Sequence, residues 1–538
     1  MAGVLPVPAL RCTMRAMSTS SPTPSRASWS GQLSFILAAA ASAIGLGNLW
    51  RFPYLAAQYG GGTFILVYLI LVVTLGFTLM TTEIAIGRKT QQSQLTAYSK
   101  LHSGFGAIGL LSTIIPVVIV PYYCVIGGWV LKYFWTYLRI VCGSGDAATA
   151  LSDSGAFFGG FISAPFAPFG FGLLFILACA LVIVLGVKDG IERSNKVMMP
   201  LLFLMAIGIA VYVCCLPGAG AGLRYYLVPN MDALRAVGED GVARFSVAQL
   251  AKTILGAMGQ MFYSLSLAMG IMITYGSYMR KEDSIEKCVR RIEVFDTLIA
   301  VIAGLMIIPV VYMFAVKTGV TPELVAEHGG DAAAATKAAV HAAMNAGPGL
   351  MFVTLPKVFA DFGAAGPWVG VFFFMLVIFA ALTSAISLYE ACVASVCDLL
   401  HIARKPATFF TFFLIAFLAV FSAIGYGAWG DVTMSSALHN MGIAGKWTNG
   451  AFFKMQFLDF FDFVTNSFLM PVVAALTCVF IGWVVKPKVI EDEVLHGEAK
   501  FVAAGFYRVM VKFIAPALIT AILVSEICRN LGIGNWKI

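Results

Sequence analysis

The sequence predicts an all-α polytopic membrane protein with about 11 transmembrane helices. Of its 538 residues, 60% are hydrophobic and only 12% are charged, and the mean hydropathy is +0.88. A soluble domain cannot cover that much apolar surface. The apolar segments are also long and continuous, whereas a membrane β-barrel would show short segments of alternating hydrophobicity. These features favour a bundle of helices in lipid.

Each predicted span is an apolar segment of roughly 20 residues or more, the length needed to cross the hydrocarbon core. The segments lie near 33–57, 63–87, 106–141, 167–187, 191–216, 247–279, 292–317, 367–400, 407–427, 453–486 and 504–530. Lys and Arg cluster in the N-terminal tail and in alternate connections, which marks those connections as cytosolic. The sequence therefore predicts a multi-pass protein of the cell inner (plasma) membrane, with its N-terminus in the cytosol and its C-terminus outside.

The chain divides into four predicted parts. Residues 1–28 are rich in Ser, Thr and Pro and are predicted to form a mobile cytosolic tail. Residues 29–216 hold spans 1 to 5. Residues 217–486 hold spans 6 to 10 and include a predicted helical hairpin at 320–350 on the outer face. Residues 487–538 comprise a cytosolic loop, whose charged part 487–500 is predicted to be solvated, and span 11.

Two of the spans are interrupted, the first by "AIGLG" at 43–47 and the sixth by "SLSLAMG" at 264–270. Backbone polar groups cannot face lipid unpaired, so an unwound turn must line a cavity or bind a ligand. If spans 1–5 and 6–10 are inverted repeats, the two breaks correspond and predict a binding site at the membrane midplane. The N-termini of the half-helices would favour an anionic group, and the freed carbonyls would favour a cation. The alternative is that the glycines only allow helices to pack closely.

Four segments resemble the neurotransmitter:sodium symporter family. They are "WSGQLSFILAAAASAIGLGNLWRFPYLAAQYGGGTF" in the first span, "GQMFYSLSLAMG" with "ITYGSYMRK" in the sixth, "FAALTSAIS" in the eighth and "GIERSNKVMMP" in the fifth. The resemblance covers about residues 25–530, and eleven spans are typical of some bacterial members. It implies a 5+5 inverted repeat with broken helices 1 and 6. The implied activity is sodium-coupled import of an amino acid by alternating access.

The resemblance also implies two sodium sites and no organic cofactor. The first site would use the Ala43 carbonyl, Asn48, Ser264 and Asp296 together with the substrate carboxylate. The second would use the carbonyls of Ala41, Ile44 and Ala380 and the hydroxyls of Thr383 and Ser384. Oxygen ligands suit a hard cation. Considered alone, Thr383 fits better a hydroxyl that is hydrogen-bonded back to its own helix. The adjacent pair Thr383 and Ser384, facing the break in the first span, favours the role of sodium ligand.

The implied substrate site lies between the same helices. Its residues are Ala43, Gly45, Gly47, Ile119, Tyr123, Tyr263, Ser266, Met269, Ser384, Ser387 and Leu388. This wall is mostly apolar, which predicts a neutral, mostly apolar α-amino acid. Ala268 stands where the family usually has glycine, and its methyl group is predicted to narrow the pocket. The predicted partners are this small molecule and the lipid bilayer, with no nucleic acid.

Two charge pairs would gate the site. The resemblance pairs Arg51 with Asp462 as the outer gate and Arg26 with Asp398 as the inner gate. The alternative for each charge is that its side chain extends to the membrane interface, which Arg26 can do more easily than Arg51. Intramembrane charges are usually functional.

Asp296 has a further implication. Many family members have a neutral asparagine there, and animal members supply the missing negative charge with bound chloride. Asp296 carries its own charge, which predicts transport that does not require chloride. Two other classes stay open: an amino-acid-binding nutrient sensor with little transport, and an ion channel. No catalytic constellation is present in the sequence, so the protein is predicted not to be an enzyme.

Overall fold

A computed structural model describes residues 27–237, 243–344, 348–425 and 456–531. In this part of the chain, nine continuous helices are long and apolar enough to cross a membrane. They are Gly62–Thr90, Ser103–Val141, Ala167–Val184, Val187–Cys214, Ile285–Gly319, Gly363–Leu400, Arg404–Ile424, Phe457–Val485 and Ala504–Ser525. They correspond to predicted spans 2, 3, 4, 5, 7, 8, 9, 10 and 11. The prediction of an all-helical membrane core is confirmed.

The remaining two predicted spans are each split into two helices. The first comprises Gln32–Ala43 and Gly47–Gln58, which meet at an angle of 52°. The sixth comprises Val247–Ser264 and Ile271–Gly276. Neither half of the sixth span alone meets the length and hydropathy of a complete span. With the bent first pair, the described residues hold ten candidate spans, and the sixth predicted span corresponds to the two shorter helices Val247–Ser264 and Ile271–Gly276.

Shorter elements connect the spans. They are the helices Gln94–Leu101, Gly145–Ser152, Ser154–Ile162, Ala219–Leu227, Pro322–Glu327, Ala332–Ala343, Leu355–Ala360 and Lys488–Val494, and the strands Arg235–Val237 and Ala243–Phe245. The two strands form an antiparallel pair in which Arg235 opposes Phe245. This small sheet was not predicted. Helices Pro322–Glu327 and Ala332–Ala343 flank Gly329 and Gly330, both with positive φ, within the predicted hairpin.

Close backbone contact holds the second half of the sixth span against the second span. A Cβ atom on Gly87 would lie 1.9 Å from the Ile273 carbonyl oxygen, and one on Gly276 would lie 2.5 Å from the Ile84 carbonyl oxygen. Only glycine permits such an approach of two helix backbones. The second span therefore positions the short helix that follows the sixth-span break.

The prediction that 487–500 is a solvated loop is wrong for its first part, whereas 495–500 lies outside regular helix and is mostly exposed. Residues Lys488–Val494 form a helix, and within it Ile490 and Val494 are fully buried. The buried Arg88 at the end of the second span donates from Nε to Glu493 Oε1 over 2.8 Å. It also donates to the Asp283 carbonyl oxygen over 2.6 Å. The acidic residues that suggested a solvated segment instead pair with cations of neighbouring elements.

Candidate functional site

The first span opens immediately after Ala43. Ile44 adopts extended backbone angles (φ −77°, ψ 97°), so the last carbonyls of the helix are left without helical donors. Side chains of other spans lie so close to Gly45 and Gly47 that a side chain at either position would clash with them. A Cβ atom on Gly45 would lie 2.6 Å from Ser384 Oγ, and one on Gly47 would lie 2.3 Å from the Tyr263 ring.

The sixth span opens between Ser264 and Ile271. Ser266, Ala268 and Gly270 all have positive φ, at 53°, 60° and 75°. The Ala268 N–H donates to Glu83 Oε1 over 2.7 Å, and Ser266 Oγ donates to the Ser42 carbonyl oxygen over 3.1 Å. The two breaks are therefore joined directly by a hydrogen bond.

A small cavity lies between the two breaks. It is lined by Ser42, Ala43, Gly45, Gly47, Asn48, Ile119, Tyr123, Tyr263, Ser266, Met269, Ile271, Ser384 and Leu388. These include all the predicted substrate residues except Ser387, whose hydroxyl accepts a hydrogen bond from Tyr275 over 2.8 Å outside the cavity. Ala268 is not among the lining residues. The lining of this cavity therefore does not support the prediction that its methyl group narrows the pocket.

Asp296 joins the two breaks from the seventh span. Its carboxylate accepts from Asn48 Nδ2 over 2.8 Å, from Ser264 Oγ over 2.9 Å and from the Tyr68 hydroxyl over 3.1 Å. The side-chain Oδ1 of Asn48 accepts from the Gly45 N–H over 3.2 Å. Three predicted ligands of the first sodium site, Asn48, Ser264 and Asp296, are thus in mutual contact. Ala43 lines the adjoining cavity.

Ser384 and Thr383 lie on the other side of the first-span break. Ser384 Oγ is 2.8 Å from the Ser42 carbonyl oxygen and 3.3 Å from that of Ile44. Thr383 Oγ1 lies 3.1 Å from the Ala380 carbonyl oxygen and 2.9 Å from that of Phe379. The Thr383 hydroxyl is thus bonded back to its own helix, as the simpler interpretation of the sequence expects. Ala41 is buried in the last turn of Gln32–Ala43.

Arg51 and Asp462 line a common cavity at one end of the bundle, which we call the Arg51 end. The Arg51 guanidinium lies 5.7 Å from the centre of the Tyr263 ring. Asp462 accepts hydrogen bonds from Tyr122 and Asn466. Tyr263 therefore lies between the cavity at the breaks and the space that Arg51 and Asp462 line.

The opposite end, which we call the Trp29 end, is closed by direct contacts. Trp29 is fully buried, and its Nε1 donates to the Tyr275 carbonyl oxygen over 3.0 Å. Arg280 donates to the carbonyl oxygens of Trp29 and Ser30. Of the predicted inner gate, Arg26 lies outside the described residues. Asp398 accepts from the Ser93 N–H over 2.6 Å.

Three residues of the site were not predicted from the sequence. Tyr68 contacts Asp296, Gln260 donates to the Gly47 carbonyl oxygen over 3.0 Å, and Ser42 supplies the carbonyl oxygen shared by Ser266 and Ser384. Ser42 directly precedes the first break, so its position in the sequence could have identified it as a residue of the site. Tyr68 and Gln260 lie in regular helix, where no local pattern distinguishes them from core residues.

The donor set of the site is made of hydroxyl, amide and carbonyl oxygens with one carboxylate, which suits a hard monovalent or divalent cation rather than a soft metal. No group of three or more His, Cys, Asp or Glu side chains that could hold a metal ion occurs within the described ranges. The apolar wall of Ile119, Met269 and Leu388 adjoins these oxygens.

Comparison with known proteins decides the family. The model of the sodium:neurotransmitter symporter family matches residues 26–142 and 170–536. The chain belongs to this family. It is 30% identical to the sodium-dependent transporter YhdH of Bacillus subtilis over 506 residues, which is 93% of this chain and 97% of that protein. It is 29% identical to a sodium-dependent transporter of Haemophilus influenzae over 517 residues, or 93% and 98% of the two chains.

A solved structure shares the fold. The crystal structure of MhsT in complex with L-phenylalanine superposes with a TM-score of 0.73 at 32% sequence identity, and the match covers 93% of this chain and all of that one. The protein is therefore a sodium-dependent, multi-pass membrane transporter of the sodium:neurotransmitter symporter family and not an enzyme. The family and fold expected from the sequence are confirmed.

Proposed function

We propose that this transporter imports a neutral, mostly apolar α-amino acid together with two sodium ions by alternating access. The observation that carries the proposal is the cavity between the two broken spans, which combines freed backbone groups with an apolar wall. Backbone amides next to Gly45 and Gly47 bind the substrate carboxylate, and freed carbonyls bind its amino group. Ile119, Met269 and Leu388 contact its side chain.

The first sodium ion binds at Asp296, Asn48, Ser264 and the Ala43 carbonyl, next to the substrate carboxylate. Asn48 Nδ2 and Ser264 Oγ both donate to Asp296, which supports a site at which these three side chains meet. Because Asp296 supplies a fixed negative charge, the site does not need chloride.

The second sodium ion binds at Ser384, Thr383 and the carbonyls of Ala41, Ile44 and Ala380. Ser384 already lies 3.3 Å from the Ile44 carbonyl oxygen across the break. A sodium ion between these oxygens links the first span to the eighth, so sodium occupancy favours one relative position of the two helices.

The chemistry of the wall defines the substrate class. A charged side chain would have no partner against Ile119, Met269 and Leu388, and its burial would cost several kcal/mol. The relative MhsT, seen in complex with L-phenylalanine, supports an aromatic side chain. Glutamate and lysine are excluded as good substrates on the same ground.

Arg51 and Asp462 form the outer gate above Tyr263 and Tyr123, and the Trp29 end faces the cytosol. The excess of Lys and Arg in the N-terminal tail and alternate connections supports this orientation. Asp398 forms the inner gate with Arg26. The N-terminus is then cytosolic and the C-terminus outside.

The decisive experiment is uptake into proteoliposomes driven by an inward sodium gradient, with labelled L-phenylalanine, L-leucine, L-glutamate and L-lysine. We expect uptake of the first two in sodium and none in choline. Sodium-dependent binding without uptake would favour an amino-acid sensor, and a sodium current without substrate would favour a channel. Equal uptake in sodium and choline would contradict the proposal.

A further inference from the structure

Two cations lie on the face of the third span that points toward the fourth span. Lys132 and Arg139 are seven residues apart, so they share one face of the helix. One turn before Lys132 on this face, the third span meets the fourth. A Cβ atom on Gly128 would lie 2.4 Å from the Gly172 nitrogen. The two charges therefore continue the line of contact beyond the point where the two helix backbones meet.

The depth of Lys132 in the membrane follows from the uncharged segment before it. Residues 106–131 contain no Asp, Glu, Lys or Arg. They rise about 39 Å as a helix, which exceeds the roughly 30 Å of the hydrocarbon core. Ile126 lines the cavity at the Arg51 end, so the residues after it approach that membrane surface. Trp135 is 52% exposed, and Trp is enriched at the level of the lipid headgroups. Lys132 therefore lies near the headgroups of one leaflet.

Three aromatic rings surround the Lys132 ammonium. Its Nζ lies 5.6 Å from the centre of the Phe157 ring and 5.8 Å from the centres of the Phe161 and Phe171 rings. Phe157 and Phe161 belong to the helix Ser154–Ile162, which precedes the fourth span, and Phe171 belongs to the fourth span itself. Cation–π attraction positions the ammonium without neutralising its charge, so the ammonium can still bind an anion.

Arg139 supplies the second charge. The residue is exposed, and its Nη2 donates to Ser144 Oγ over 3.0 Å. Lys132 and Arg139 repel each other electrostatically, and an anion bound between them would turn this repulsion into two attractions. A guanidinium can bind phosphate through two parallel N–H groups, while an ammonium binds it as a point charge. The pair therefore fits a phosphate group.

An apolar track next to the cations favours a lipid over a free anion. Leu174 follows Phe171 by three residues and lies next to it on the fourth span. Leu181 lies two turns further along the same face as Leu174, and both leucines are exposed. This face runs from the level of Lys132 toward the bilayer centre. Acyl chains of a lipid whose phosphate is held at Lys132 can therefore lie along it.

We propose that Lys132, Trp135 and Arg139 form a binding site for an anionic phospholipid. The phosphate binds between the two cations, and the Trp135 indole N–H donates to the same headgroup. The acyl chains pack along the fourth span. The bound lipid joins the third span to the fourth and, through the rings around Lys132, to the helix before the fourth. This site goes beyond the proposed function, because it requires neither sodium nor substrate.

The test counts the lipids that the purified protein retains, by native mass spectrometry from micelles with equal amounts of phosphatidylglycerol and phosphatidylcholine. We expect Lys132→Gln/Arg139→Gln to retain one phosphatidylglycerol fewer than the parent. Each single substitution should lower the retention of that lipid about fivefold, the contribution of one basic residue at a lipid surface. Lys337→Gln/Lys357→Gln is the matched control, because it removes two exposed charges from the connection between the seventh and eighth spans. It should keep the parent count.

A second measurement separates lipid binding from folding. Phosphatidylglycerol should raise the unfolding temperature of the parent more than that of Lys132→Gln/Arg139→Gln. If Lys132→Gln destabilises the protein without lipid, Arg139→Gln alone decides, because Arg139 is exposed. Equal retention by this variant and the parent, or the same loss in the control, would overturn the inference. Replacement of the lost lipid by phosphatidylcholine in the parent, or its displacement by equimolar glycerol 3-phosphate, would also overturn it, the latter in favour of a site for small anions.

Discussion

The two broken spans leave helical geometry by different means. In the first span the break coincides with Gly45 and Gly47, whose missing side chains make room for Ser384 and Tyr263. In the sixth span Ser266 and Ala268 hold positive φ without being glycine. Such a conformation costs a residue with a Cβ atom about 1–2 kcal/mol. The first break is therefore encoded by its own residues, whereas the sixth depends on contacts from elsewhere.

Those contacts come from two neighbours. Glu83 of the second span accepts the Ala268 N–H, and the Ser42 carbonyl oxygen accepts the Ser266 hydroxyl. Asp296 then connects the ends of both breaks through Asn48 and Ser264. A substitution in the first break should therefore cause steric clashes with neighbouring side chains. A substitution around the sixth break should instead remove hydrogen bonds that hold its backbone.

The largest effect is expected at the first break. A Cβ atom at Gly47 would lie 2.3 Å from the Tyr263 ring, which is held beneath Arg51. We expect Gly47→Ala to weaken L-phenylalanine binding at least about tenfold, consistent with about 1–3 kcal/mol of overpacking. Saturation binding in high sodium measures this. Gly31→Ala is the matched control, because its Cβ would meet no atom within 4 Å. Unchanged binding by Gly47→Ala would show that Tyr263 can move aside.

The next effect tests the carboxylate that joins the breaks. Asp296→Asn keeps the shape but removes the charge, so sodium affinity should fall about tenfold or more. Sodium titration of L-phenylalanine binding measures this. The variant should also respond to chloride, which can replace the lost charge, while parent uptake should be unchanged when gluconate replaces chloride. Parent uptake that collapses in gluconate would show that Asp296 does not supply the charge.

An intermediate effect is expected from loss of the hydrogen bond between the Ala268 N–H and Glu83 at the sixth break. Glu83→Leu leaves the Ala268 N–H without an acceptor and should lower the free energy of unfolding by about 1–3 kcal/mol. Glu83→Gln keeps an acceptor at the same place and should cost less. Thermal unfolding in detergent compares the two. Equal losses in both variants would mean that the charge, and not the hydrogen bond, supports the break.

The smallest effect is expected at Ala268, where a substitution distinguishes backbone strain from an influence of the side chain on the shape of the pocket. Ala268→Gly relieves a positive φ and should stabilise the protein by up to about 1 kcal/mol. Its preference among L-phenylalanine, L-leucine and L-alanine should not change, because Ala268 does not line the cavity. Ala85→Gly, in regular helix, should instead destabilise by about 0.5–1 kcal/mol. A shift toward bulkier substrates in Ala268→Gly would place this residue in the pocket after all.

Much of the fold and of the site can be predicted from the sequence, since the signals are local. Long apolar runs identify the spans, and "AIGLG" and "SLSLAMG" mark both breaks. Ala43, Gly45, Gly47, Ser266 and Met269 lie in these two motifs. The other residues of the cavity wall were implied by the family resemblance, as was Ser387, which turns away to Tyr275. Helix periodicity alone does not distinguish these two directions for a small hydroxyl side chain.

The tertiary structure decided which residues that lie far apart in sequence contact one another. The sequence by itself determined that the helices span the membrane and where two of them break, because hydropathy and glycine act locally. It did not determine that Tyr68 would meet Asp296, that Arg280 would close the Trp29 end, or that Glu493 would pair with the buried Arg88. Each of these contacts joins residues more than two hundred positions apart. Their geometry depends on how whole helices pack, and no local sequence pattern records that.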